Sequence, residues 1–152
     1  MPAVRASQRP LGLKAGVPVS DEVLDTLRYI EAFEVEVGKK ETGAMLEFKR
    51  FLALSVLYPG RQAFPFAPSL PLDALWHKFI LNTQRYREFC ERVYRQYLDH
   101  VPGESRKETK RAVHQGPMQF TVETILKTFD NVNKRYWTKL AFCGPCLIIF
   151  KH

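Results

Sequence analysis

The sequence lacks most of the features by which a chain announces its chemistry. It holds no glycine-rich phosphate loop, no Gly-x-Ser-x-Gly elbow and no His-Glu-x-x-His helix. None of the nucleotide-binding, acyl-transfer or zinc-protease routes carried by those motifs is therefore written in it. Cysteine is scarce, with three residues, Cys90, Cys143 and Cys146, and an odd number without a signal segment speaks against a disulfide-stapled secreted fold. The C-terminal run Cys146 to Phe150 is far too short to span a bilayer. Residues 1–17 carry Arg5, Arg9 and Lys14 and no acid, but no continuous apolar core of signal-peptide length, and Pro2 and Pro10 interrupt any amphipathic helix. A cytoplasmic location is the expectation. No internal repeat and no Asn-Gly hairpin signal appears.

What is present suffices for a core. The 152 residues are 45% hydrophobic and 12% aromatic, which argues for one compact domain and against wholesale disorder. Lys and Arg number 23 against 16 Asp and Glu, a net charge of +7. Most of these charges are interspersed, as on solvated helix faces. Glu104 to Arg111 is the exception, with Arg106, Lys107, Lys110 and Arg111 outweighing two glutamates. A nucleic-acid binder would need those four side chains to join other basic residues on one face.

The expected architecture is all-α, a compact bundle of about five to six helices with an extended N-terminal arm. Residues 1–18 read as a flexible basic arm and residues 19–152 as a single helical domain. Ser20 caps the first helix, whose buried face is Val23, Leu24, Leu27, Ile30 and Phe33, and Gly38 marks its end. Lys39 to about Leu57 forms the next. Met45, Leu46, Phe48, Phe51, Leu52, Ser55 and Val56 can pack on more than one side, so this is the central element. Tyr58-Pro59-Gly60 stops it, and the aromatic, proline-bearing connection from Arg61 to Leu70 is expected to cover the core.

The clearest periodicity follows. Leu72, Leu75, Trp76, Phe79 and Ile80 make one wide helix face, with Ser69 as cap and Pro71 in the first turn. Thr83 caps a second helix along which Tyr86, Phe89, Cys90, Val93, Tyr94 and Tyr97 repeat the spacing, extended to His100 and ended by Val101-Pro102-Gly103. Gly116-Pro117 breaks the chain. Residues 118–130 form a helix, Asn131-Val132-Asn133 a turn, and Lys134 to Leu140 a last short helix.

Asp73, Trp76-His77, Ile80-Leu81, Thr83, Tyr86, Phe89-Cys90, His100 and Pro102 together resemble the signature of the glycine-rich-domain-containing-protein-like family. Thr121, Thr124, Phe129 and Tyr136-Trp137 resemble its later segment, and Cys143-Gly144-Pro145-Cys146 its cysteine-rich end. Asp130 and Tyr97 stand where that pattern has glycines, and no long glycine-rich tail follows. The resemblance implies a helical fold and no particular activity.

His77, His100, Cys143 and Cys146 form the sharpest chemical constellation. Two thiolates on a tight Cys-x-x-Cys turn plus two imidazoles would complete a tetrahedral structural zinc site, with Asp73 orienting the His77 ring. Each residue also has a plainer role. Asp73 can hydrogen-bond His77 or interact with the helix dipole, His100 can cap a helix end, and Cys90 in an aromatic stripe is a buried small hydrophobe. The Cys-Gly-Pro-Cys tetrad matches thioredoxin-like oxidoreductases locally, but the chain after it is too short for that fold. The reading is a small binding or accessory module with a protein partner, stabilised by structural zinc. Its rivals are a metal- or thiol-dependent enzyme, using Asp73/His77 as base with its orienting carboxylate and the Cys143/Cys146 pair, and a nucleic-acid binder.

Overall fold

The computed structural model describes residues 9–35, 42–59, 66–101, 110–138 and 147–149, with backbone alone at residues 42, 99–101, 110–117 and 147–149. Its described part is built of helices, in agreement with the all-α reading, and a single aromatic-rich core runs from Leu11 to Trp137.

Helix α1 spans Asp21–Ala32. The Ser20 hydroxyl accepts the Val23 N–H at 3.1 Å, and Asp21 and Glu22 complement the dipole in the first turn. Leu27 and Ile30 are buried. Helix α2, Thr42–Leu57, buries Ala44, Phe48, Phe51, Leu52, Ala53 and Leu54. Apolar residues that point all round leave no solvated stripe, so the helix must be enclosed. It touches α1 and three later helices, which confirms it as the central element. Leu46, expected to pack, is one of its exposed residues. Gly43 sits where a Cβ would come within 3.1 Å of the Tyr136 ring, so the close approach of that ring explains a glycine in the first turn.

Helices α3, Leu70–Leu81, and α4, Thr83–Tyr94, are separated by Asn82 alone. Their apolar faces meet as the spacing predicts. Leu72, Leu75, Trp76 and Phe79 are buried on α3, and Tyr86, Phe89, Cys90 and Val93 on α4. Phe79 meets the Tyr86 ring at 5.0 Å and the Phe89 ring at 5.3 Å, both edge-on, and Phe33 of the α1 end joins Phe89 at 5.0 Å. Such edge-to-face pairs add about 0.5–1.5 kcal/mol each beyond burial. The connection before α3 covers the core at Phe66, Ala67 and Ser69, with Phe66 stacked on Phe120 at 5.8 Å.

Four expectations about element boundaries are corrected. The first helix ends at Ala32, short of Gly38, where Phe33 turns to extended backbone. The second helix of the pair does not reach His100. It ends at Tyr94 because Arg95 takes the left-handed conformation (φ 57°), which closes a helix end. Tyr97 is half exposed, and Asp99–Val101 forms a strand, β1, paired antiparallel with Leu147–Ile149, β2, in the register His100↔Ile148. Helix α5 runs over Lys110–Thr128, straight through Gly116-Pro117. A proline inside a helix forfeits one backbone hydrogen bond and crowds the carbonyl four residues back, at about 3 kcal/mol, a cost the turns on either side must offset. The last short helix is a 3₁₀ turn limited to Lys134–Trp137, with Trp137 buried.

Residues 9–18, expected as part of a flexible arm, are tied to the helices. Pro10–Gly12 makes a 3₁₀ turn, and Leu11 and Leu13 are as buried as any core residue. Leu13 bridges to Phe129, the Lys14 N–H donates to the Thr128 carbonyl at 2.9 Å, and the Asp130 N–H donates to the Gly12 carbonyl at 2.8 Å. Lys14 Nζ donates to the Leu126 carbonyl at 2.8 Å, placing a cation at the C-terminal end of α5. Burial of Leu11 and Leu13 offsets part of the entropy of ordering the strap, and its hydrogen bonds to α5 and the segment after it add to that.

Candidate functional site

The N-terminal half of α3 presents the most chemically distinctive pair. Ser69 holds the N-cap position, but its hydroxyl is turned to the Tyr136 carbonyl instead of the helix N–H groups. One turn on, Asp73 is fully buried, and its Oδ1 lies 3.5 Å from His77 Nε2, while the His77 side chain is 41% exposed. The i,i+4 spacing brings the two together on one flank of the helix. The contact sets a buried carboxylate beside a partly exposed imidazole. A carboxylate and an imidazole so placed are the residue types of a metal ligand with its orienting partner, or of a general base. A cleft of about 520 Å³ opens beside α3, lined by Leu70, Pro71, Ala74, Arg135, Tyr136 and Thr138, and its lining does not include His77.

The second predicted ligand lies on β1. His100 is described in backbone only, paired with Ile148, and β1 runs beside the segment that directly follows Cys146 in the chain. The approach to β1 is tied to α3 through one phenol. Trp76 Nε1 donates to the Tyr86 hydroxyl at 3.1 Å, and that hydroxyl donates to the Leu98 carbonyl at 2.7 Å. All three residues are buried. Burial pushes the Tyr86 phenol far above its ordinary ionisation range, so the hydroxyl remains a donor. Cys90, buried and not in a disulfide, stands against the Tyr86 phenol one helical turn away.

Cys143 and Cys146 lie outside the described residues, as do Arg106 and Lys107; Lys110 and Arg111 open α5, described in backbone only. Among the described residues no group of three or more His, Cys, Asp or Glu side chains assembles to hold a metal. The described site therefore comprises Asp73, His77, the Trp76–Tyr86–Leu98 connection and the backbone of His100.

One buried ionic centre was not anticipated from the sequence. Glu47 and Arg50, three residues apart on α2, are 1% and 3% exposed and paired at 2.9 Å. Glu47 also accepts from Trp137 Nε1 at 2.9 Å and from the Asn133 N–H at 3.1 Å. Arg50 donates to the carbonyls of Leu11 at 2.8 Å and Asp130 at 2.7 Å, with the Phe129 ring 5.3 Å from its guanidinium carbon. Each partner is a backbone or side-chain group from the N-terminal strap or the segment after α5, so the pair welds both chain regions to the central helix. Its signal in the sequence was two opposite charges, spaced i,i+3, inside a helix whose other residues demand enclosure.

A family model matches residues 28–141, well over half of the chain: the chain belongs to the UCP032817-like family. This overturns the resemblance to the glycine-rich-domain-containing-protein-like family. Trp76, Tyr86, Phe89 and Cys90, which carried much of that resemblance, are packed core residues, and a paired-helix core selects such residues whatever the lineage. No curated protein and no solved structure matches the chain significantly.

Proposed function

We propose that this member of the UCP032817-like family is a small cytoplasmic accessory module that binds a protein partner. In this reading a structural zinc ion, held by His77, His100, Cys143 and Cys146, clasps its C-terminal segment to the α3–α4 pair. The observation that carries the reading is the antiparallel pairing of β1 with β2, by which the stretch after Cys146 runs alongside His100. The buried Asp73 behind His77 adds support, because metal-bound histidines commonly hand their second ring nitrogen to a carboxylate. Two thiolates and two imidazoles make a closed tetrahedral set, the donor chemistry of a structural rather than a catalytic zinc. Binding free energy would then count as folding free energy for the C-terminal segment.

The test is the metal content of protein purified without added zinc, beside a Cys143→Ser/Cys146→Ser double variant. One zinc per chain, lost in the variant together with thermal stability, is the expected outcome. Metal-free wild-type protein with freely titratable thiols would sink the clasp. The Asp73–His77 pair would then be better read as a general base with its orienting carboxylate, or as packing.

A further inference from the structure

We propose that the outer face of α3, with the cleft between it and the Lys134–Trp137 turn, docks an acidic, apolar peptide segment of a protein partner. This names the partner chemistry of the accessory-module reading and rests on its protein-partner half alone, without the zinc clasp. Helix α3 is apolar almost all round, and a helix of that kind is ordinarily enclosed. One side of it is not. Leu70 and Pro71 are partly exposed, Ala74 is exposed, and Leu81, at 80%, is the most exposed large apolar side chain among the described residues. Leu70, Ala74, His77 and Leu81 follow one helical stripe, which runs about 16 Å along the axis, the length a partner helix of three turns would cover. The cleft of about 520 Å³ opens beside the first turns of that stripe. Its far wall is braced from behind. The Ser69 hydroxyl donates to the Tyr136 carbonyl, the Asn133 side chain accepts the Arg135 N–H at 3.2 Å, and Trp137 is anchored on Glu47 at 2.9 Å. A cleft already held open needs little reorganisation to bind.

Charge selects the occupant. Lys78 lies one turn beyond Ala74 on α3, and Lys134 and Arg135 stand on the opposite wall; all three are exposed. Among the described residues none of the three meets a carboxylate. The one acid of α3, Asp73, is buried against His77, and residues 131–138 contain none. The α1–α4 side supplies the contrast. There Arg28 is paired with Asp25 at 3.1 Å and Arg95 with Glu22 at 3.0 Å, so the chain neutralises its own exposed cations. Carboxylates flanking the apolar side chains of a partner segment would do the same for Lys78 and Arg135, and would fix its register. The concave shape favours a peptide, whose side chains fill a pocket, over a bilayer, which takes up a protruding apolar face. An apolar floor favours it over nucleic acid, whose phosphates call for cations along the whole contact.

The experiment selects random helix-length peptides, displayed on phage, against the full chain and measures the affinity of the selected peptides by fluorescence polarisation. They are expected to combine Asp or Glu with Leu, Ile, Phe or Met and to bind more weakly as salt is added. Lys78→Glu/Arg135→Glu is expected to weaken them about tenfold or more, and Ala74→Arg, which fills the cleft, is expected to do likewise. Arg28→Glu/Arg95→Glu makes the same change of net charge on the α1–α4 side and is expected to leave affinity within about twofold. All five positions are exposed, and circular dichroism with the thermal midpoint checks that each variant folds. Acid-poor peptides, an equal loss in the α1–α4 variant, or no enrichment at all overturns the docking surface. So does binding to phosphatidylcholine–phosphatidylserine vesicles that Lys78→Glu/Arg135→Glu abolishes, or a dimer in sedimentation that Leu81→Ser abolishes, since each gives the face to another occupant. Peptides that bind with no regard to the α3 variants overturn this surface and leave a protein-binding module standing. Metal content decides the clasp separately, whichever way the selection falls.

Discussion

Glu47 and Arg50 show how much one pair of side chains can decide. Each is an ion taken almost wholly out of water, and its cost is met by the other charge together with the Trp137 indole and the Leu11 and Asp130 carbonyls. Replacing such a pair with apolar residues is often tolerated; removing one partner is not, because the other charge is left buried and alone. Glu47→Gln keeps the shape of the side chain and removes its charge. It is expected to cost about 3–5 kcal/mol, read as a lower urea midpoint at unchanged slope. A midpoint within experimental error of wild type would mean that Arg50 finds its compensation elsewhere. The same residue-scale logic applies to Asp73, whose full burial was not evident from a polar letter near a helix start. The i,i+4 relation to His77 could be read directly, since helical geometry alone brings the two together.

At the scale of elements, α4 is instructive. Its apolar stripe was legible from Tyr86 to Val93 because helical periodicity and burial coincide there. Its end was not, since no glycine or asparagine stands at the left-handed position to announce it. Arg95 occupies that position instead, at φ 57°, a conformation that costs an L-residue about 1 kcal/mol or more. Its salt bridge to Glu22 joins two largely exposed side chains (83% and 78%) and offsets little of that cost. Arg95→Gly is therefore expected to raise stability by about 1 kcal/mol, and differential scanning calorimetry should show a higher midpoint. A lower midpoint would show that the Glu22 contact outweighs the backbone strain. Helix α5 fails in the opposite sense. Gly116-Pro117 reads as a break, yet the helix passes through it, so the helical turns on either side outweigh the proline's lost bond and ring crowding.

At the scale of the molecule, the N-terminal strap is a structural part of the core. Leu11 and Leu13 are 1% and 0% exposed, and the strap is fastened on one side to α5 and on the other to Arg50. Leu13→Ala is expected to cost about 2–5 kcal/mol, the range for truncating a buried leucine. Chemical denaturation checks it, and an effect below about 0.5 kcal/mol would show the strap to be dispensable. Among the described residues no helix is long and apolar enough to cross a membrane, and one hydrophobic cluster links strap, helices and terminal 3₁₀ turn.

By itself the sequence determined the helical class, the central place of α2, the paired helices and the Ser20 cap. These follow from side-chain periodicity and local hydrogen bonding, which act over a few residues and are written in the order of the letters. Only the tertiary structure decided that Leu11 and Leu13 join the core, that Glu47 and Arg50 are buried together, that one phenol links Trp76 to Leu98, and that the stretch around His100 pairs with Leu147–Ile149. Each of these joins groups far apart along the chain or depends on what encloses them. Nothing local specifies such partners; they are selected by what remains to be buried and hydrogen-bonded once the helices have packed.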